Sequence, residues 1–138
     1  MAYWLFKSET DAWSWEQQKK KGAKGEAWTG VRNHTAKLNM MKMKKGDRGF
    51  FYHSNEQKAV VGIVDVIGEY RPDPTDPEGQ FGMVVVKAVT DMPEPVTLAA
   101  AKANPKLKEM SLVTSFRLSV QPVTDKEWKE VCKMGGLK

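Results

Sequence analysis

"DRGFFYHSNEQKAVVGIVDVIGEY" (residues 47–70) decides the fold class of this chain. Residues 47–55 are dense in aromatics, which suit a pleated, half-buried surface. Residues 58–70 run almost unbroken through valine and isoleucine, the pattern of a strand covered on both faces. "SNEQK" (54–58) stands between them as a polar turn, so the pair reads as an antiparallel hairpin. Gly62 and Gly68 interrupt the second run, and glycines inside a strand mark bends where a sheet curls.

The rest of the chain extends this pattern on both sides. "YWLFKS" (3–8) is a strand. Ser14 and Gln17 match a capping box and open a short helix that reaches about residue 21. "KGAKGE" (21–26) is a basic loop. "RNHTAKLNMMKM" (32–43) is helical: His34, Leu38 and Met41 form one stripe, Ala36, Met40 and Met43 another, and together they predict one broad apolar face. "RPDPTDPEGQ" (71–80) is a polar loop, and "FGMVVVKAVTDM" (81–92) a further strand. "PEPVTLAAAKANP" (93–105) turns into a short helix that Pro105 stops. "SFRLSVQPV" (115–123) alternates as a last strand. Thr124 and Glu127 form a second capping box. Trp128, Val131 and Cys132 line one face of the helix that follows, and Gly135 ends it. These elements predict an α+β chain, a single domain over 1–138. The expected architecture is a small, partly closed and mostly antiparallel β-barrel with helices inserted between strands.

A chain of 138 residues, 41% hydrophobic and 28% charged, is long enough to bury a core without staples. The net charge of +5 suits a polyanionic partner such as nucleic acid, although a basic protein without such a partner is an equal reading of charge alone. Among the basic residues only Arg32, Arg48, Arg71 and Arg117 are arginine. Lysine gives a diffuse attraction for phosphate, not fixed bidentate readout. The single cysteine, Cys132, fits a reducing compartment and reads as a packed thiol. "MAYWLFKSET" lacks the pattern of a signal peptide, and no run is apolar enough to span a membrane. The expected location is the cytoplasm, with the nucleus left open.

Most catalytic signatures are missing. Two histidines and one cysteine do not make a zinc site, and no phosphate-cradling glycine motif or GxSxG elbow occurs. No cofactor or metal is expected. Three polar clusters remain. The first is Lys7, Ser8, Glu9 and Thr10. The second is "WTGVRN" (28–33), with Trp28, Arg32 and Asn33. The third is Tyr52, His53, Ser54 and Asn55. Each follows or borders a strand, and neighbouring strands would bring all three to one rim. Such a rim suits a flat heterocycle: Trp28 stacks on its face while serine, asparagine and backbone groups read its edge. The plain alternative stands beside it. Trp28 is then a core ring, Arg32 and Asn33 cap the next helix, and His53 is a satisfied interior histidine.

The segments "YWLFKSE", "WTGVRN", "GDRGFFYHSN", "VVGIV" and "RLSVQPVT", in this order, resemble the EVE domain family, a PUA-like group related to the YTH domain. The resemblance runs from Ala2 to about Met134. It implies a PUA-like barrel and a non-enzymatic module that binds DNA or RNA through a pocket for one modified base. It implies pocket residues Lys7, Ser8, Glu9, Trp28, Arg32, Asn33, Tyr52, His53, Ser54 and Asn55. Trp28 would be the aromatic wall and Ser8, Asn33, Ser54 and Asn55 the edge readers. Lys7 and Arg32 would meet a phosphate or an acid such as Glu9, and His53 and Ser54 would sit on the rim. The chain departs from the family pattern at Thr10, where proline is usual. It departs again at His34 and Lys37, where tyrosine and arginine are usual, and at Thr114 and Phe116.

Two rival functions use the same residues. Lys7, Glu9 and Thr10 match the residue types of ASCH-like hydrolases of modified nucleosides, in which a desolvated lysine acts as base or nucleophile. Alternatively, the basic surface binds nucleic acid nonspecifically, without a base pocket.

Overall fold

The computed structural model describes residues 1–55, 57–115 and 117–137. Glu56 of the expected hairpin turn and Phe116 lie outside them. Six strands form one sheet: β1 (Tyr3–Ser8), β2 (Glu26–Ala27), β3 (Arg48–His53), β4 (Ala59–Pro72), β5 (Gly82–Thr97) and β6 (Val120–Val123), in the order β2-β5-β4-β3-β1-β6. The 47–70 stretch is the antiparallel pair β3–β4 at its centre. Among the described residues only β1 and β3 pair in parallel. Five α-helices accompany the sheet: α1 (Trp15–Lys20), α2 (His34–Lys42), α3 (Leu98–Ala103), α4 (Ser111–Thr114) and α5 (Asp125–Met134). Both predicted capping boxes are present. The Ser14 and Thr124 side chains accept from the backbone of Gln17 and Glu127, whose side chains reach back to the cap N–H.

Strand alternation gives the sheet two cores. On one face Trp4, Phe6, Phe51, Val64, Val84 and Val86 pack with Ala36, Met40 and Met43 of α2 and its end. On the other, Leu5, Phe50, Tyr52 and Ile63 pack under Ala101, Leu112, Trp128 and Val131 of the C-terminal helices. There the Trp128 ring stacks on Phe50 at 4.0 Å and on Tyr3 at 4.3 Å. Cys132 lies at the margin of this second core, as expected, and burial pushes its thiol up.

The α+β class holds, but the expected barrel does not: the sheet is open, with β2 at one edge and β6 at the other. Gly62 and Gly68 do mark irregularities, since the β4–β5 register shifts at both. At Gly62 the reason is also steric, because a Cβ there would lie 2.1 Å from the Trp15 ring. These bulges bend the sheet without closing it. The edge strands are only two and four residues long, too short to find each other. Helix α2 fills the gap, packing on β4, β5 and β6, and Asn39 Nδ2 donates to the Val120 carbonyl at 2.8 Å.

Two local expectations are corrected as well. The last strand starts at Val120, not 115: Gln121 Nε2 donates to the carbonyls of Ser115 and Leu118 at 3.1 and 2.9 Å, which draws both residues off the strand line. The broad apolar face of α2 is narrower than its sequence: Ala36 and Met40 are buried, but Leu38 and Met41 are 55% and 52% exposed. A short helix seated over a gap touches the sheet along one stripe only. Strand β2 has no signature, since two residues cannot show a period of two.

Candidate nucleic-acid interface

Parallel pairing sets Lys7 opposite Tyr52 and Ser8 opposite His53, so the first and third clusters leave the sheet at the same end. The second cluster arrives from β2, where the Trp28 N–H donates to the Val84 carbonyl at 2.7 Å. A cavity of about 420 Å³ opens where the end of β1 faces this loop. Lys7, Ser8 and Glu9 line one side, residues 28–32 another, and Trp13 with Ser119 close it.

Trp28 is both core ring and cavity wall. It is 7% exposed and meets Phe6 and Phe51 edge-on at 5.2 and 5.6 Å. Trp13 supplies a second, half-buried indole. Its N–H donates to Gln18 Oε1 at 2.9 Å. Gln18 is itself fully buried, and its Nε2 donates to the Val86 carbonyl at 3.1 Å. The orientation of Trp13 is therefore tied to the sheet through one amide. The Ser8 hydroxyl donates to the Trp13 carbonyl at 2.6 Å, joining the end of β1 to the same loop. Neither Trp13 nor Gln18 stood out in the sequence. The available signal was a tryptophan in the polar run "TDAWSW", with a glutamine on the inner face of the next helix.

The 28–32 wall is held from below by Asp73, in the loop whose prolines and acids carried no functional reading. The Asp73 side chain is buried. It accepts from the Gly30 N–H at 2.8 Å, from the Thr75 N–H and hydroxyl at 2.7 Å each, and from Arg32 Nη1 at 3.3 Å. Burial pushes this carboxyl up, but the bonds from Thr75, Gly30 and Arg32 outweigh it and bring the pKa down to about 2. Gly30 has φ +82°, a left-handed conformation that glycine adopts without strain. Arg32 also donates to the Val31 carbonyl and to the Thr75 hydroxyl. Its first role is thus to fix the loop that forms the wall.

The other five expected residues do not line this cavity. Asn33 is the N-cap of α2 and accepts from the Ala36 N–H at 2.9 Å. Tyr52 points to the second core, with Lys7 Nζ 5.7 Å from its ring centroid; burial raises the Tyr52 phenol and lowers the Lys7 ammonium. His53 is buried, not at the rim. Its Nε2 accepts from the Trp15 N–H at 3.0 Å, which leaves the ring proton on Nδ1, facing Gln57 Oε1. The Ser54 N–H donates to the Ser8 carbonyl at 2.9 Å. Asn55 Oδ1 accepts from the Thr10 N–H and hydroxyl at 2.9 and 3.2 Å. The third cluster thus shapes the turn after β1 that carries Glu9 and Trp13. The strand pattern could not separate contacts to the cavity from contacts that build it.

Among the described residues no group of three histidine, cysteine or acidic side chains is placed to hold a metal, and no helix is long and apolar enough to cross a membrane. The chain matches the EVE domain over residues 2–134. It is 34% identical to mouse thymocyte nuclear protein 1, an alignment covering 91% of this chain and 70% of the mouse protein. A crystal structure of an Agrobacterium tumefaciens protein superposes with a TM-score of 0.96 at 61% identity, covering 99% of this chain and 94% of that one. The crystal structure of human THYN1 in complex with 5-methylcytosine-containing DNA superposes with a TM-score of 0.92 at 30% identity, covering 100% and 99%. A YTH domain of Zygosaccharomyces rouxii shares the fold at a TM-score of 0.59 and 16% identity, covering 99% and 88%. The match over residues 2–134 and the identity with the mouse protein show that the chain belongs to the EVE domain family.

Proposed function

We propose that this chain is a single non-enzymatic module that binds nucleic acid and takes one modified base into the cavity between β1 and the 28–32 loop. One observation carries the reading: two indoles, Trp13 and Trp28, wall a 420 Å³ space whose lining also includes Lys7 and Arg32. Stacking supplies affinity for a flat base, roughly 1–3 kcal/mol per base, and it acts on any base. Polar groups of the lining, among them Thr29, Glu9 and Glu26, then select by edge. The human relative crystallised with 5-methylcytosine-containing DNA supports the choice of nucleic acid as partner. DNA bearing a modified cytosine is accordingly the first ligand to try. Ser8, Asn33, Tyr52, His53, Ser54 and Asn55 serve this site by holding its frame.

The hydrolase alternative needs Lys7, Glu9 and Thr10 to converge. Lys7 and Glu9 line the cavity, but the Thr10 hydroxyl is bonded to Asn55 and is not part of the lining. That supports binding without turnover. The test is a titration of the full chain against fluorescent duplexes that differ only in one 5-methylcytosine. The reading expects tighter binding of the modified duplex and recovery of intact nucleotide afterwards. Equal binding of the two duplexes, and of duplexes carrying other modified bases, would reduce the chain to a nonspecific basic module. Release of a modified base or acyl group would make it an enzyme.

A further inference from the structure

Phe81 stands just before β5, at the end of the loop that holds Asp73. Its ring is buried beneath three side chains from the 28–37 segment. The Arg32 guanidinium carbon lies 5.8 Å from the ring centroid, Lys37 Nζ lies 5.7 Å from it, and the His34 ring is tilted over it at 5.1 Å. Arg32 also lines the cavity, so the cluster borders its mouth. The nearby acids are engaged with the backbone. Asp73 is buried under Gly30, Thr75 and Arg32, while Asp76, half-buried, accepts through Oδ2 from the N–H groups of Gln80 and Phe81 at 2.8 Å each and is close enough to attract Arg32. The first turn of α2 holds no acid, and among the described residues no carboxylate pairs with Lys37.

We infer that Arg32, His34 and Lys37, arrayed on Phe81, form a clamp for the DNA backbone beside the base held in the cavity. The inference rests on the function proposed above. An aromatic face attracts cations and holds them in place, so less side-chain freedom is lost when a phosphate arrives. Lysine suits such a phosphate as a point charge, while Arg32, tethered by Asp73 and Thr75, fixes where the strand passes.

The test uses the full chain, a duplex with one 5-methylcytosine, and its unmethylated twin, titrated by fluorescence anisotropy over a salt series. The variants are Lys37→Gln, Lys37→Arg and, as a distant control on α3, Lys102→Gln. Lys37→Gln should weaken binding to both duplexes by the same factor and lower the slope of log affinity against log salt by about 1. Lys37→Arg should restore that slope, and Lys102→Gln should leave it at the wild-type value. A Lys37→Gln slope equal to that of Lys102→Gln overturns the clamp. So does a change in the methylated-to-unmethylated ratio, which would make Lys37 a base reader. A wild-type ratio of one would sink the pocket instead, and the slopes would still decide the clamp.

Discussion

Asp73 shows how one buried acid sets the shape of a cavity wall. Its carboxylate collects Gly30, Thr75 and Arg32, and its pKa falls from 3.8 to about 2. A depressed folded pKa stabilises the native state above the unfolded value. That stability is lost as pH drops through the folded value. The latch should therefore be intact at neutral pH, weaken below about 4 and be gone near 2. Asp73→Asn should cost about 1–3 kcal/mol at neutral pH, because Arg32 and Gly30 lose a charged acceptor. Urea midpoints measured against pH check both points: wild type and variant should converge in acid, and parallel curves would show that Asp73 is not the titrating group.

The two tryptophans of the cavity call for different substitutions. Trp28 is a core ring, so Trp28→Ala should cost about 3–5 kcal/mol of stability and obscure any effect on ligand. Trp13 is half-buried on a loop. Trp13→Ala should leave the fold cooperative while weakening modified-base binding by about 1–3 kcal/mol. Unchanged affinity of a folded Trp13→Ala protein would remove it as a stacking wall.

At the level of elements, α2 separates sequence pattern from packing. Its two stripes look equivalent in sequence, yet only Ala36, Met40 and Met43 meet the sheet. Met40→Ala should cost about 2–5 kcal/mol, whereas Leu38→Glu with Met41→Glu should stay within about 0.5 kcal/mol of wild type in thermal or urea unfolding. At β4 the same logic runs through a missing side chain. Gly62→Ala would drive a Cβ into the Trp15 ring, and the ring is fixed by its indole bond to Asp91 at 2.7 Å. Overpacking of this kind costs about 1–3 kcal/mol, and the loss should shrink if Trp15 is also replaced by a smaller aromatic.

For the whole molecule, one sheet divides two cores that share no buried side chain among the described residues. Met40→Ala on one face and Leu107→Ala on the other should therefore add within about 0.5 kcal/mol in unfolding free energy. Strong coupling between them would mean that the sheet transmits packing changes from face to face. The strands β1, β3, β4 and β5, helices α1, α2, α3 and α5, and both capping boxes were legible in the sequence, because each rests on local periodicity or on a cap within four residues. The "WTGVR" stretch stood out as the wall of a cavity for a similar reason: an aromatic, a glycine and an arginine lie together along the chain. Sheet closure, the exposed stripe of α2, the inward turn of His53 and the roles of Trp13, Gln18 and Asp73 were not. Each depends on partners far apart in sequence, such as Gly30 with Asp73 or His53 with Trp15, and no local pattern encodes which of two faces a neighbour will cover. Hydrophobic alternation dictated that a sheet forms; only the packed structure decided that α2, not a sixth pairing of strands, fills its open side.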